Sequence, residues 1–194
     1  GCVTGEPRPC MNGRLLTAVD SPPLVEVLSG TLKPSQNWIA EQVVRTLGTG
    51  AGQPASWHLG TAAVRAHIET IVGVDPVDVN VVDGSGLSVH NLVTPRSLVQ
   101  LLRHSYERPW GSLYRAMLPQ PGEDESTMSE RLLKLRGRLF AKTGSLTNVG
   151  SIAGYVTDRR GREIAFAVMV NGANLPAAVV RDGIDAVVLE LAGS

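Results

Sequence analysis

Apolar residues recur along this chain with two different periods, and the change from one to the other divides it. Through about residue 135 the spacing is mostly helical. Leu24, Val27, Leu28 and Leu32 give one face to a helix that follows Asp20-Ser21-Pro22-Pro23, where a capping oxygen precedes prolines in the first turn. Lys33-Pro34 ends that helix. Trp38, Ile39, Val43 and Leu47 repeat the pattern in a second one, with Ser35 and Asn37 in its first turn and Gly48 as its stop. Residues 50–56 read as a small polar loop, 61–72 as a helix, and 78–82 as a short strand running into the turn Asp83-Gly84-Ser85-Gly86. Thr94-Pro95 opens a further helix to about Tyr106, and a short helical piece follows Pro109-Trp110-Gly111.

From residue 138 the pattern becomes that of strands. Residues 138–144, 151–157 and 163–171 are predicted as three in succession, the last two joined by the polar turn Asp158-Arg159-Arg160-Gly161-Arg162 of an antiparallel hairpin. Residues 177–191 return to helical spacing, with Val180, Ile184, Val187, Val188 and Leu191 on a predicted core face. Helices first, antiparallel strands next and one helix last make the fold class α+β.

Composition narrows the function. With 194 residues and 43% hydrophobic content the chain can bury one sizeable core. Eighteen basic residues balance eighteen acidic ones, and no basic run stands out, so nucleic acid is not expected as a partner. The longest apolar stretches fall far short of the roughly 20 residues of a membrane helix. Gly1-Cys2-Val3-Thr4-Gly5-Glu6 has neither the basic start nor the apolar core of a signal peptide, and reads like the middle of a longer polypeptide. Cys2 and Cys10, the only cysteines, are a disulfide candidate that would close a short loop in an oxidising compartment. The histidines lie scattered, so no metal site is expected.

The chemistry concentrates in Ala141-Lys142-Thr143-Gly144-Ser145, where an apolar lead-in carries a Lys-Thr-Gly triplet into a second apolar run. A strand edge of this kind offers a cation, a hydroxyl and a side-chain-free backbone to the carboxylate end of a peptide. Together with Ser35-Gln36-Asn37-Trp38, Val19-Asp20-Ser21-Pro22-Pro23 and Asp83-Gly84-Ser85-Gly86-Leu87-Ser88, in that family's order, the chain resembles the penicillin-binding protein 4 type of D-alanyl-D-alanine carboxypeptidase, the DacB or S13 peptidase family. The resemblance covers residue 13 to the C-terminus. It implies part of a β-lactamase/transpeptidase-like fold, an antiparallel sheet flanked by helices, and a serine acyl-transferase site built from Ser-x-x-Lys, Ser-x-Asn and Lys-Thr-Gly.

Ser35-Gln36-Asn37 keeps the strict Ser-x-Asn pattern, whereas Ser88-Val89-His90-Asn91 has His90 in the third place. Ser-x-x-Lys is missing: the three lysines, Lys33, Lys134 and Lys142, are preceded three residues earlier by Gly30, Arg131 and Leu139. The expected reading is that residues 1–12 are the tail of an inserted region and 13–194 the C-terminal part of the penicillin-binding domain. The N-terminal strands and the nucleophile helix would then lie outside the chain, leaving an open strand edge and apolar surface.

By resemblance, Ser35 relays a proton, Asn37 holds the substrate amide, and Lys142 keeps the relay acidic and attracts the terminal carboxylate. Thr143 hydrogen-bonds that carboxylate, Gly144 lets the peptide lie close, the Ser145 N–H forms half of an oxyanion hole, and Ser88 is a candidate for the pocket rim. The implied partners are the D-Ala-D-Ala end of a peptidoglycan stem peptide, β-lactams, and the N-terminal half of the same protein. No cofactor is implied. The implied location is extracytoplasmic, with peripheral membrane association left open. Taken singly, the residues have plainer roles: Ser35 as a helix cap, Asp83 and Ser85 as turn formers, and Trp38, Trp57 and Trp110 as core or interface anchors. A non-catalytic wall-binding protein and a serine β-lactamase or esterase stand as alternatives.

Overall fold

The computed structural model describes residues 17–49 and 54–193, so the Cys2–Cys10 pair lies outside the described residues. Six α-helices and a three-stranded antiparallel sheet make up most of the described structure, which confirms the α+β reading. The helices are α1 (Leu24–Leu32), α2 (Asn37–Leu47), α3 (Trp57–His67), α4 (Pro95–Tyr106), α5 (Gly111–Met117) and α6 (Ala177–Leu191). A short pair, β1 (Val79–Asn80) and β2 (Leu92–Val93), closes the base of the 83–91 loop. The main sheet runs β3 (Leu139–Leu146), β4 (Val149–Thr157), β5 (Glu163–Asn171) in that order.

β3 and β4 meet through a two-residue turn at Thr147-Asn148, in which Asn148 takes φ 61°, a left-handed conformation that asparagine tolerates. The polar 158–162 turn joins β4 to β5, its Asp158 carboxylate accepting from the Arg160 and Arg162 N–H groups at 2.8 and 2.9 Å. Alternation along β3 then sorts the side chains. Leu139 and Ala141 enter the cluster with Ile152, Ile184 and Val188, on the α6 side of the sheet. Phe140 enters the other cluster with Tyr155 and Leu102, on the α4 side, where the Tyr155 hydroxyl donates to Leu102 O at 2.7 Å. Lys142 therefore shares the α4 side with Phe140, and Thr143 the α6 side with Ala141.

Several expectations are corrected. Pro23, not Asp20 or Ser21, is the residue at the start of α1, and no side chain caps that helix. Ser35 lies outside α2, in the turn before it, with φ 61°; Gln36 precedes the first helical residue, Asn37. Trp38 is 72% exposed, and Trp57 and Trp110 are also exposed, so none of the three anchors the core. On α6, Ile184 and Val188 are buried, whereas Val187 and Leu191 face outward. The apolar arc of that helix is wider than the described residues cover.

α2 and α3 approach unusually closely because Gly60 has no side chain: a Cβ there would lie 2.0 Å from Val44 O. Gly60→Ala is expected to destabilise the fold by about 1–3 kcal/mol, since overpacking against backbone outweighs the gain in helix propensity. A denaturant midpoint unchanged from the parent would show that α3 shifts without cost.

Candidate active site

Ser35 and Lys142 are 107 residues apart in sequence, yet the Lys142 ammonium donates to Ser35 Oγ at 2.8 Å and to Thr143 O at 2.7 Å. The turn between α1 and α2 presents the serine; the α4-side face of β3 presents the lysine. Burial lowers the pKa of Lys142 from the ordinary 10.5 to about 8, because desolvation disfavours the ammonium and no carboxylate among the described residues pairs with it. A lysine so poised can exchange a proton with a neighbouring hydroxyl near neutral pH.

The outer edge of β3 is open where the chemistry needs it. The Ala141 N–H points away from β4 and donates to Pro119 O at 3.0 Å. Along a strand successive N–H groups point to opposite edges, so those of Thr143 and Ser145 point the same way as Ala141's, beyond the reach of Pro119. Gly144 and Ser145 are exposed. A Cβ on Gly144 would lie 2.5 Å from Ser151 Oγ, so this position closes tightly over the neighbouring strand. Around the same strand end, on the α6 side, a cleft of about 510 Å³ is lined by Thr127, Arg131, Thr143, Ser145 and Asn148 among others. Ser35 and Lys142 lie across β3 from it.

Asn37, the first residue of α2, is exposed two positions beyond Ser35. The 83–91 loop is fixed against the same helix. Glu41 accepts from the Ser85 N–H at 2.9 Å and the Gly84 N–H at 3.2 Å. Burial opposes the charge on Glu41, but the hydrogen bonds from Ser85 and Gly84 win and hold its pKa below the usual value. Asp83 accepts from the N–H groups of Gly86 and Ser88 and from the Asn91 amide, each at 2.7 Å, which is the turn-forming role expected of it. Ser88 sits in this loop, its hydroxyl accepting from the His90 N–H at 3.2 Å, and it does not contact Lys142. The structure thus joins Ser35, Lys142, Thr143, Gly144 and Ser145 in one region and places Asn37 beside it.

Two contributors were not predicted from sequence. Glu41 stands four residues after Asn37 and so on the same helix face, a spacing that would have pointed to it. Thr127, whose hydroxyl accepts from Thr143 Oγ1 at 2.8 Å, carries no local signal, because only the tertiary fold brings it there.

The family model for D-Ala-D-Ala carboxypeptidase 3 (S13) matches residues 2–193. The chain belongs to the S13 peptidase family. It is 33% identical to the D-alanyl-D-alanine carboxypeptidase of an Actinomadura species over 97% of its own length and 36% of that protein's. It is 34% identical to carboxypeptidase DacB of Mycolicibacterium smegmatis, over 95% of this chain and 42% of the relative. The crystal structure of penicillin-binding protein 4 (dacB) from Haemophilus influenzae superposes with TM-score 0.76 at 31% identity, covering 88% of this chain and 40% of that one. A class A β-lactamase from Bacteroides cellulosilyticus, at 20% identity and TM-score 0.63 over 88% of this chain and 64% of its own, shares the fold. The chain spans well under half the length of the S13 relatives it matches here.

Proposed function

We propose that this chain is the C-terminal part of a serine-type D-Ala-D-Ala carboxypeptidase or endopeptidase that acts on peptidoglycan stem peptides through an acyl-enzyme and is acylated by β-lactams. The observation that carries the reading is the 2.8 Å contact between Lys142 Nζ and Ser35 Oγ beside an open strand edge. In the reaction, a serine supplied outside this chain attacks the carbonyl of the penultimate D-alanine. The C–N bond breaks, the departing D-alanine amine takes a proton through Ser35 and Lys142, and water then hydrolyses the ester. Asn37 holds the substrate amide. Lys142 and Thr143 receive the terminal carboxylate, and the outward N–H of Ser145 stabilises the oxyanion. Ser88, in the loop held against α2 by Glu41, is a candidate for the rim of the substrate site, although it does not line the cleft around the end of β3.

The partner surface supports the same assembly. Among the described residues the outer edge of β5 is unpaired, and Val187 and Leu191 form an exposed apolar stripe on α6. An unpaired edge beside an apolar helix face is what a further strand and helix would cover, and the N-terminal half of the same protein is the natural occupant. The substrate places the enzyme outside the cytoplasm. A non-catalytic wall-binding role is the alternative reading.

Native mass spectrometry with and without benzylpenicillin separates the two. The expected result is a penicilloyl adduct on the polypeptide segment that carries the nucleophile, held together with this chain. A 20.6 kDa chain with neither partner nor adduct, from material in which the longer protein is expressed, would leave binding as its function.

A further inference from the structure

Nothing within the α1–α2 turn dictates how far Ser35 lies from Lys142. Ser35 takes φ 61° as the left-handed residue that closes the end of α1, where the Gln36 N–H donates to Thr31 O at 2.9 Å; that bond shapes the turn but does not tie it to β3. The tie comes from residues 119–128. One end of this segment is fixed to β3, where Pro119 O accepts from the Ala141 N–H at 3.0 Å. The other end is fixed to the turn, where the Thr127 N–H donates to Lys33 O at 3.0 Å. Between them the Glu123 carboxylate forms an ion pair with the Lys33 ammonium and accepts from the Gln120 N–H at 3.2 Å. Ser126 Oγ donates to Glu123 O at 3.0 Å and accepts from the N–H of Met128, whose side chain is fully buried. The segment is therefore a bridge from the strand that carries Lys142 to the turn that carries Ser35.

We propose that Glu123, acting through Lys33, is a positioning residue for the Ser35–Lys142 relay: its ion pair clamps the serine's turn to a segment anchored on the lysine's strand. The inference rests on the acyl-transfer reading above. Lys33 is two residues from Ser35, so a slack clamp moves the hydroxyl directly. Both side chains of the pair are about a quarter exposed. Removing one charge from a pair so largely buried costs stability as well as geometry, so the acylation rate is read separately from the amount of folded protein.

The test uses the intact enzyme, with benzylpenicillin acylation followed by stopped flow. Glu123→Gln keeps an acceptor for the Gln120 N–H and removes the charge. It is expected to slow the acylation step by about 10- to 100-fold, the scale of a misplacement near 1 Å. The initial, non-covalent binding of penicillin and the fraction of protein finally acylated should not change. A partly unfolded variant would instead lose amplitude at an unchanged rate, and its thermal midpoint would fall by more than about 4 °C. Lys33→Met should slow the step similarly, and the double variant should be no slower than either single one. Additive losses, or a Glu123→Gln rate equal to the parent's, would overturn the positioning role. If the parent is not acylated, or if Lys142→Met acylates as fast as the parent, the acyl-transfer reading itself fails.

Discussion

Replacing Lys142 with methionine in the intact enzyme is expected to slow benzylpenicillin acylation by about 10²- to 10³-fold, comparable to the loss of one oxyanion donor, and to stabilise the protein at neutral pH. Both effects have one cause. The ammonium is largely buried with two hydrogen-bond acceptors and, among the described residues, no carboxylate, an arrangement that costs the folded state but leaves a charge beside Ser35 for the reaction. Below about pH 8 the lysine is charged in the folded and the unfolded chain alike, and burying the charge opposes folding in full. Between about 8 and 10.5 the folded chain has lost the proton and the unfolded chain still holds it, so stability rises with pH across that window. Lys142→Met lacks that rise. Its advantage in unfolding free energy should be greatest below pH 8 and shrink toward pH 10.5. Acylation by the parent should weaken as pH rises through about 8, since the neutral amine no longer attracts the carboxylate of the antibiotic. Denaturant titrations at several pH values, beside the acylation rates, check both halves. A variant that is less stable at pH 7 would mean that the ammonium is better satisfied than its two acceptors suggest.

The parts of this molecule that were legible in the sequence are those whose cause is local. Thr94-Pro95 opens α4 with a reciprocal cap, Thr94 and Ser97 each accepting from the other's N–H at 3.1 Å. β5 and α6 fall on the residues predicted because alternation and helical spacing there run without interruption. Lys142-Thr143-Gly144 was readable because glycine, hydroxyl and cation are adjacent in the chain. What was misread depends on distant residues. Pro34-Ser35 has the look of a helix start, and the serine is held instead in a left-handed turn that meets β3 and is braced by Glu123 and Thr127. Neither of those two residues differs locally from any polar loop residue. Val187 and Leu191 share the predicted core face because the helical pattern does not say which element covers it; α6 has a second apolar flank that the described residues leave open. The exposure of the three tryptophans removes the core half of their expected role and leaves the interface half, since size alone does not say which surface a side chain packs on.

Ser35→Ala is the sharper test of which serine acts. It removes the hydroxyl that Lys142 contacts at 2.8 Å and leaves the ammonium with Thr143 O alone. The expected loss of acylation is about 10²- to 10⁴-fold, the range for a positioned proton-transfer group, and it should fall on the acylation rate and not on the initial binding of penicillin. The fold should hold, because Ser35 caps no helix; the turn is closed by the Gln36 N–H donating to Thr31 O at 2.9 Å. Alanine also keeps the backbone hydrogen bond between Thr127 and Lys33 O, so the brace survives the substitution. Ser88→Ala provides the contrast. Its hydroxyl serves the His90 N–H within the 83–91 loop, whose shape is set chiefly by the Asp83 carboxylate. Any loss there should be much smaller and should appear as weaker binding, in keeping with a place on the rim. If Ser88→Ala abolished acylation while Ser35→Ala spared it, the proton relay would have to run through the later loop. The contact between Lys142 and Ser35 would then be a packing feature of the α1–α2 turn.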